Sequence, residues 1–286
     1  MTMHSTLVDA MTVAAMPPGS VLLVDCRVDL TDRTRSAHDY ARAHLPGAIH
    51  ADLDTDLSDL LSNVPHAGRH PLPSAAGFSA VLSRWGWTPG LQVVAYDAAG
   101  GALAAARLWW LLRVAGVREA AVLDGGLVAW ASAGHPLESS LPRRDASEVR
   151  VEFDVDETVS ADVLADEVAR GTAVLLDARA APRFRGDVEP LDPVAGHVPG
   201  ARNRPYADNL AADGRFKPAV TLRSEFTALL GAHSPREVVH MCGSGVTACH
   251  NLLAMEYAGL TGSRLFAPSW SGWVSDPARP AAKGEF

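Results

Sequence analysis

Residues 238–249 read Val-Val-His-Met-Cys-Gly-Ser-Gly-Val-Thr-Ala-Cys, an apolar run that leads through a cysteine into a glycine-rich bend. Apolar residues then recur at helical spacing as far as Tyr257, so the pattern predicts a buried strand, a tight loop and the start of a helix. Gly243 and Gly245 have access to backbone angles that other residues avoid, which lets the loop turn its N–H groups toward one centre. The positive end of the helix dipole points at the same centre. The segment therefore favours an anionic sulfur on Cys242.

The composition is that of an ordinary globular protein of two domains. Its 286 residues are long for a single hydrophobic core, and its content of 48% hydrophobic and 20% charged residues is in the range of ordinary globular proteins. The net charge of −8 argues against a nucleic-acid partner, and there is no run of about 18 apolar residues that would predict a membrane span. The first twenty residues lack the pattern of a signal peptide, and the three cysteines form neither a disulfide framework nor a Cys-x-x-Cys pair. We therefore expect a cytoplasmic protein that binds neither nucleic acid nor membranes.

The second half of the chain repeats the order of motifs in the first. His-Val-Pro-Gly-Ala at 197–201 matches His-Leu-Pro-Gly-Ala at 44–48, and the apolar run 238–242 matches 93–97. Because the matching motifs lie about 150 residues apart, each half is expected to be a whole domain rather than one unit of a solenoid. The predicted division is a first domain over 1–138, a polar linker over 139–158 and a second domain over 159–286.

Short apolar strands alternate with helical segments in both halves. In the first half, strands are predicted at 21–25 and 91–97, and helices at 75–85 and 102–115. In the second half, a helix is predicted to begin after Ser160, which suits the N-cap position. This alternation predicts an α/β fold in which each domain is a parallel sheet covered by helices on both faces.

The segment 242–249 resembles the active-site loop of the rhodanese sulfurtransferases, in the form typical of 3-mercaptopyruvate sulfurtransferases. The two His-x-Pro-Gly-Ala motifs agree with this resemblance, as do residues 123–126 and 183–186. The resemblance covers nearly the whole chain and implies two tandem rhodanese-like domains. Asp97 occupies the place in the first repeat that Cys242 occupies in the second. The first domain is therefore expected to be non-catalytic, with Asp97 capping the helix that follows it.

The resemblance implies sulfur transfer through a persulfide, without a metal or an organic cofactor. The Cys242 thiolate takes the sulfur of 3-mercaptopyruvate, and pyruvate leaves. The persulfide then passes its outer sulfur to cyanide or to a thiol, including that of a thioredoxin-like protein. Preorganised amides of the loop hold the persulfide anion in this scheme. The loop residues expected to contact the substrate are Gly243, Gly245, Val246 and Thr247.

The resemblance also implies an arginine that binds the anionic end of the substrate. Arg185 matches this arginine, and a guanidinium suits a carboxylate because it offers parallel donors. Family members selective for mercaptopyruvate usually carry a second arginine a few residues later. The corresponding stretch here, residues 189–193, contains none.

Ser244 matches a loop serine that acts with a histidine and an aspartate of the first domain in mercaptopyruvate-type enzymes. The candidates for these two partners are His70 and Asp54, and His66 competes with His70 for the role of the histidine. The imidazole would relay a proton to the leaving pyruvate enolate.

Other functions remain open at this point. The same loop serves thiosulfate sulfurtransferases, although members that prefer thiosulfate carry basic residues directly after the cysteine, where this chain has Gly243 and Ser244. A sulfur carrier or binding module with weak turnover is a further alternative. A Cys-dependent phosphatase is excluded, because Ala248 stands where that chemistry needs an arginine. Cys249, on the predicted helix, is expected to be a small buried residue rather than a second reactive thiol.

Overall fold

The structure, a computed structural model, describes residues 3–29, 32 and 34–285. The chain divides into two compact units, each assembled from three stretches of sequence. The first unit comprises Met1–Asp59, Pro73–Asp154 and Ala212–Phe216. The second comprises Leu60–Leu72, Val155–Ala211 and Lys217–Phe286. The stretch 60–72 thus belongs to the second unit although it lies in the first half of the sequence. The predicted boundaries of the two domains, 1–138 and 159–286, and of the linker between them, 139–158, stay predictions.

The first unit is an α/β sandwich around a five-stranded parallel sheet with the strand order β1-β5-β4-β2-β3. Its strands are β1 (Leu7–Val8), β2 (Val21–Asp25), β3 (Ile49–His50), β4 (Gln92–Tyr96) and β5 (Ala120–Leu123). Its helices are α1 (Ala10–Ala14), α2 (Arg35–Arg42), α3 (Ala75–Arg84), α4 (Ala105–Val114) and α5 (Gly126–Ser132). Part of the predicted linker hydrogen-bonds to this unit, since the Val151 N–H donates to Ser79 Oγ of α3.

The second unit holds a four-stranded parallel sheet with the order β7-β6-β8-β9. Its strands are β6 (Val174–Asp177), β7 (Arg202–Asn203), β8 (Val238–Met241) and β9 (Arg264–Leu265). Its helices are α6 (Ala161–Ala169), α7 (Ala181–Arg185), α8 (Ala219–Leu230), α9 (Ala248–Tyr257) and α10 (Ser269–Trp273). The Ser160 hydroxyl accepts a hydrogen bond from the Val163 N–H, so the predicted N-cap of α6 is confirmed.

The central strands of both sheets are buried along their whole length. All five residues of β4 and all four of β8 are buried. Successive side chains of a strand point to opposite faces of the sheet, so both faces of each sheet are covered. This confirms the predicted α/β class with parallel sheets. Within the described residues, no helix is long and apolar enough to cross a membrane.

The two units share an Asp-x-Arg pair, with a fully buried carboxylate, at the carboxyl end of an inner strand. In the first unit, Arg27 Nη2 lies 2.6 Å from Asp25 Oδ2 and donates to the carbonyl of Ala43. In the second, Arg179 Nη2 lies 2.6 Å from Asp177 Oδ2 and donates to the carbonyl of Gly196. These carbonyls directly precede, in sequence, the histidines of the two His-x-Pro-Gly-Ala motifs. In each unit, the arginine at the end of the inner strand therefore holds the residue just before the His-x-Pro-Gly-Ala motif, as expected of a sequence repeat.

Candidate active site

Cys242 lies at the carboxyl end of β8, and residues 242–247 form the loop that leads into α9. Its side chain is buried, with 2% of its surface exposed. The loop is anchored to the start of α10, because the Cys242 N–H donates to Ser269 Oγ over 3.0 Å and its carbonyl accepts from the Trp270 N–H, also over 3.0 Å. The cysteine is thus held rigidly at the point where the strand ends and the helix has not yet begun.

The two glycines of the loop have different roles. Gly245 has a φ of +78°, in the left-handed region that favours glycine. Gly243 does not have a positive φ. What matters at this position is the absence of a side chain, which leaves space next to the backbone. A Cβ on Gly243 would lie 3.1 Å from Arg69 Nη2 and 3.4 Å from Arg183 Nη1. Only one of the two glycines is therefore needed for the bend itself, and the other lets two guanidinium groups approach the backbone.

Several amides of the loop are buried and have no hydrogen-bond partner in the part of the chain that the structure describes. The N–H groups of Ser244, Val246 and Ala248 donate no hydrogen bond to any of the described residues, and all three residues are buried. Buried N–H groups are nearly always paired in proteins, and unpaired amides in the turn before a helix are typical of an anion site. The geometry suits a thiolate, a persulfide or the oxygens of a bound anion.

His70 and Ser244 are brought together. His70 Nδ1 lies 2.8 Å from Ser244 Oγ, a hydrogen-bonding distance. The competing candidate, His66, lies instead with its Nδ1 2.7 Å from Ser275 Oγ. His70 belongs to the stretch 60–72, so this contact lies within the second unit, although the sequence assigned the histidine to the first domain. Asp54 lies in the first unit, where its N–H donates to Asp52 Oδ1, and its role stays a prediction.

Six side chains of alternating charge form an ion-pair chain that ends at the Cys242 loop. Arg179 Nη1 lies 3.4 Å from Glu189 Oε2, and Glu189 Oε1 lies 2.7 Å from Arg183 Nη2. Arg183 Nη2 also lies 3.5 Å from Asp192 Oδ2, and the other oxygen of Asp192 pairs with Arg69 Nη1. In order, the members of the ion-pair chain are Asp177, Arg179, Glu189, Arg183, Asp192 and Arg69.

The ion-pair chain stabilises the charged forms of both its guanidinium groups and its carboxylates, as the pKa shifts of Arg179 and Glu189 indicate. Burial alone would lower the pKa of the Arg179 guanidinium, but Asp177, Glu189 and a Cys242 thiolate together hold it above its usual value. Burial raises the pKa of Glu189, but the hydrogen bonds from Arg183 and from the N–H of Leu191 outweigh it and leave that pKa lowered. The carboxylate and the guanidinium therefore both stay ionised beside the loop.

The side chains of Arg185 and Arg183 lie in different places, and only that of Arg183 is close to Gly243. The Arg185 guanidinium pairs with Asp187 over 2.7 Å and with Glu285 over 3.4 Å, while Arg183, two residues earlier, reaches the Cys242 loop. The sequence analysis predicted Arg185 for the site and named neither Arg183 nor Arg69, the two arginines that lie next to Gly243; the role of Arg185 stays a prediction. The Arg-Phe-Arg pattern around the buried Phe184 carries a signal, since arginines on either side of a buried helical residue point in different directions. For Arg69 the sequence offered no signal beyond its position next to His70.

The corresponding loop of the first unit is filled by its own carboxylate. Asp97 follows β4, and its side chain accepts from the N–H groups of Ala99, Gly101 and Leu103 over 2.8–3.0 Å and from that of Ala105 over 3.4 Å. Ala105 is the first residue of α4, but Ala104 occupies the N-cap position and its side chain makes no capping bond. Asp97 therefore binds mainly the amides of the loop before α4 rather than capping the helix as predicted. In this unit the amides around the strand end already hold a carboxyl group, whose pKa is raised by burial although these hydrogen bonds act to lower it.

Cys249 matches its prediction as a small buried residue. It is fully buried, and its Sγ lies 3.4 Å from the carbonyl oxygen of Gly245. Among the described residues, no group of three or more His, Cys, Asp or Glu side chains is arranged to hold a metal ion.

Comparison with known proteins gives similar chains over nearly the full length. A family model described as a rhodanese-like domain matches residues 12–133 and 160–276. A probable 3-mercaptopyruvate sulfurtransferase of Pseudomonas aeruginosa is 45% identical over 273 residues, which are 95% of this chain and 95% of that protein. A putative thiosulfate sulfurtransferase, SseB, of Mycobacterium tuberculosis is 40% identical over 273 residues, which are 95% of this chain and 93% of that protein. The solved structure of a 3-mercaptopyruvate sulfurtransferase from Leishmania major superposes with a TM-score of 0.81 at 33% identity, covering 93% of this chain and 73% of that one.

Proposed function

This chain belongs to the rhodanese family of sulfurtransferases, and we therefore propose that it moves a sulfane sulfur from 3-mercaptopyruvate to a thiol or cyanide through a persulfide on Cys242. The observation that carries the proposal is the Cys242 loop, where a buried sulfur, unpaired buried amides and two guanidinium groups meet. The amides suit an anionic sulfur, and the guanidinium groups suit a carboxylate at the other end of a short donor.

The first step forms one sulfur–sulfur bond and breaks one carbon–sulfur bond. The Cys242 thiolate attacks the sulfur of the donor, and the electron pair of the carbon–sulfur bond leaves with the carbon as the enolate of pyruvate. The enolate takes up a proton and departs as pyruvate. In the second step the acceptor attacks the outer sulfur, so that cyanide leaves as thiocyanate and Cys242 returns to its thiolate form.

We assign the proton of the first step to the Ser244–His70 pair. The hydroxyl and the ring nitrogen lie 2.8 Å apart, so a proton can pass between them without a rearrangement. Imidazole suits this work because it gains and loses a proton near neutral pH. Asp54 is proposed, on the family resemblance, as the group that orients the imidazole.

Arg183 is proposed as the arginine that binds the carboxylate of the donor, in place of the Arg185 predicted from the sequence. Arg183 Nη1 faces the space above Gly243. The loop residues Gly243, Gly245, Val246 and Thr247 are proposed to contact the substrate at the other end, where the N–H groups of Ser244, Val246 and Ala248 are the donors for the reacting sulfur.

We place the sulfur-carrying loop in the predicted domain 159–286, with 139–158 as the linker. The predicted domain 1–138 is non-catalytic in the sense that it carries no reactive sulfur, because Asp97 occupies the amides that would otherwise serve one, although His70 and Asp54 of that stretch are proposed for the proton step.

The physiological acceptor and the compartment are proposed on chemical grounds. A persulfide needs a nucleophilic thiol to receive its sulfur, and a thioredoxin-like protein supplies one. The thiolate of Cys242 must stay reduced between turnovers, which the cytoplasm ensures.

Thiosulfate is the second candidate donor, and one observation favours it. Guanidinium groups beside Gly243 attract any small anion, including a dianion. Against it, the ion-pair chain is balanced by three carboxylates, so the site offers little net positive charge to a second negative charge on the ligand.

Steady-state kinetics with cyanide as the common acceptor distinguish the two donors. We expect a higher kcat/KM for mercaptopyruvate than for thiosulfate, measured as thiocyanate formed under identical conditions. A higher kcat/KM for thiosulfate would reassign the donor, and thiocyanate from neither donor would leave a carrier or binding module as the function.

A further inference from the structure

Two guanidinium nitrogens at the Cys242 loop make no hydrogen bond or ion pair with any residue that the structure describes. Arg69 gives Nη1 to Asp192, and Arg183 gives Nε and Nη2 to Glu189 and Asp192. Arg69 Nη2 and Arg183 Nη1 have no hydrogen-bond or ion-pair partner among the described residues. These are the same two atoms that lie nearest to the vacant Cβ position of Gly243.

Both arginine side chains are exposed enough to contact a ligand, and their ion pairs with Asp192 hold them in place. Their side chains keep 31% and 20% of their surface exposed, while the carboxylate of Asp192 between them keeps 4%. Asp192 joins both guanidinium groups, so it fixes the distance between their unused nitrogens. A buried acceptor that holds two partly exposed donors is the arrangement of a preorganised binding site.

The backbone around Arg69 is also fixed. The Arg69 N–H donates to Ser271 Oγ over 3.0 Å. Gly68 has a φ of +83°, and a Cβ there would lie only 2.4 Å from the carbonyl oxygen of Pro268. The stretch that carries Arg69 therefore packs closely against the start of α10, the same element that anchors Cys242.

We propose that Arg69 supplies the second guanidinium of the donor's carboxylate site, with Asp192 as its positioning residue. The inference rests on the proposed function and extends it. The stretch 189–193, where an arginine would be expected, carries Asp192 instead, and this carboxylate recruits an arginine from a distant part of the sequence. Each unused nitrogen donates to one oxygen of the carboxylate, as parallel donors do in arginine–carboxylate pairs. Selectivity for donors with a carboxylate thus depends on Arg69 as well as Arg183.

The test compares donors with and without a carboxylate in the variant Arg69→Gln. Mercaptopyruvate carries the carboxylate, and mercaptoacetone has a methyl group in its place. We expect the KM for mercaptopyruvate to rise about 10- to 100-fold with kcat changed little, as for the loss of a charge-assisted hydrogen bond. The kcat/KM for mercaptoacetone should stay as in the unmodified protein. The inhibition constant of pyruvate, which shares the carboxylate, should rise with the KM.

Arg170→Gln serves as the matched control, since Arg170 is an exposed arginine that pairs with Asp166 on α6. This variant should keep the wild-type constants for both donors. Equal losses on both donors in Arg69→Gln would show a structural role and overturn the inference. Unchanged constants for mercaptopyruvate and pyruvate would overturn it as well. Absence of thiocyanate from the unmodified protein with either donor would instead refute the proposed function.

A charge exchange gives a second test. Arg69→Asp should lose activity with mercaptopyruvate. The double variant with Asp192→Arg added should be at least about tenfold more active than Arg69→Asp alone, because the pair is then reversed and a guanidinium again faces the loop. The melting temperature of both variants shows that they are folded. A folded double variant without recovery would count against the proposed pairing.

Discussion

Arg183 and Arg185 lie two positions apart on helix α7, and this spacing turns their side chains in different directions. An α-helix rotates by about 100° per residue, so positions i and i+2 do not share a face. Arg183 meets Glu189, Asp192 and the space above Gly243, while Arg185 meets Asp187. The sequence motif points to this helix, and the direction of each side chain favours Arg183 over Arg185 for the proposed role.

Parallel substitutions of the two arginines test this assignment. We expect Arg183→Gln to raise the KM for mercaptopyruvate about 10- to 100-fold through the loss of a charge-assisted hydrogen bond, and Arg185→Gln to raise it less. The KM values are measured with cyanide as the acceptor. A larger effect of Arg185→Gln would return the role to Arg185.

His240 is a buried histidine of β8 whose chemistry the proposed mechanism does not use. Its side chain is fully buried, and neither ring nitrogen has a hydrogen-bond partner among the described residues. Burial lowers the pKa of His240 to about 3, so the folded protein keeps the ring neutral where the unfolded chain takes up a proton. The stability that depends on the neutral ring is present above pH about 6.5 and is lost as the pH falls toward 3.

His240→Leu removes this dependence on pH. We expect the free energy of unfolding to rise at both pH 8 and pH 5, because two unpaired buried nitrogens are removed. The gain should be about 2 kcal/mol larger at pH 5, where only the unfolded wild-type chain is protonated. Urea unfolding at the two pH values measures the difference, and an equal gain at both would contradict the account.

At the scale of elements, the strand–loop–helix at β8 and α9 was predictable and the stretch 60–72 was not. The apolar run and the glycines predicted a strand at 238–242 and a helix after the loop, and the structure has β8 at Val238–Met241 and α9 from Ala248. Periodicity and glycine bends are local signals, so a single sequence carries them. The stretch 60–72 has no such periodicity, and its place depends on contacts with distant residues such as Pro268 and Ser271.

The two loop glycines give a prediction at this scale. Gly245→Ala should lower the free energy of unfolding by about 1–2 kcal/mol, because alanine is strained at a φ of +78°. Gly243→Ala should change stability less, since its backbone suits alanine, but should raise the KM for mercaptopyruvate because the new methyl group crowds Arg69 and Arg183. Chemical unfolding and steady-state kinetics of both variants check the contrast. Strong destabilisation by Gly243→Ala, with KM unchanged, would contradict it.

At the scale of the whole molecule, the sequence repeat appears as two sheets with matching strand orders. The order β7-β6-β8-β9 of the second unit corresponds to β3-β2-β4-β5 of the first, which adds β1 at its edge. The matching position after β4 and β8 holds Asp97 in one unit and Cys242 in the other. Repetition was visible in the sequence because the same buried strands and turns recur, whereas the assignment of 60–72 to the second unit was not.

The difference between Asp97 and Cys242 predicts that one repeat supports folding and the other supports chemistry. Asp97→Asn replaces one of the two accepting carboxyl oxygens with an amide nitrogen, which donates, so part of the network of amides around the side chain loses its acceptor. We expect a loss of about 1–3 kcal/mol in the free energy of unfolding, and a rate per folded molecule within a few fold of wild type. A loss of activity by orders of magnitude in a folded variant would show that the first repeat takes part in catalysis.

The most direct test of the whole account is the mass of the protein after incubation with mercaptopyruvate and removal of the excess donor. The account predicts the added mass of one sulfur atom, mapped to the peptide that contains Cys242. The variant Cys249→Ser should keep this addition, and Cys242→Ser should lose both the addition and all turnover. Full turnover in Cys242→Ser, or a sulfur mapped to another cysteine, would contradict the central claim.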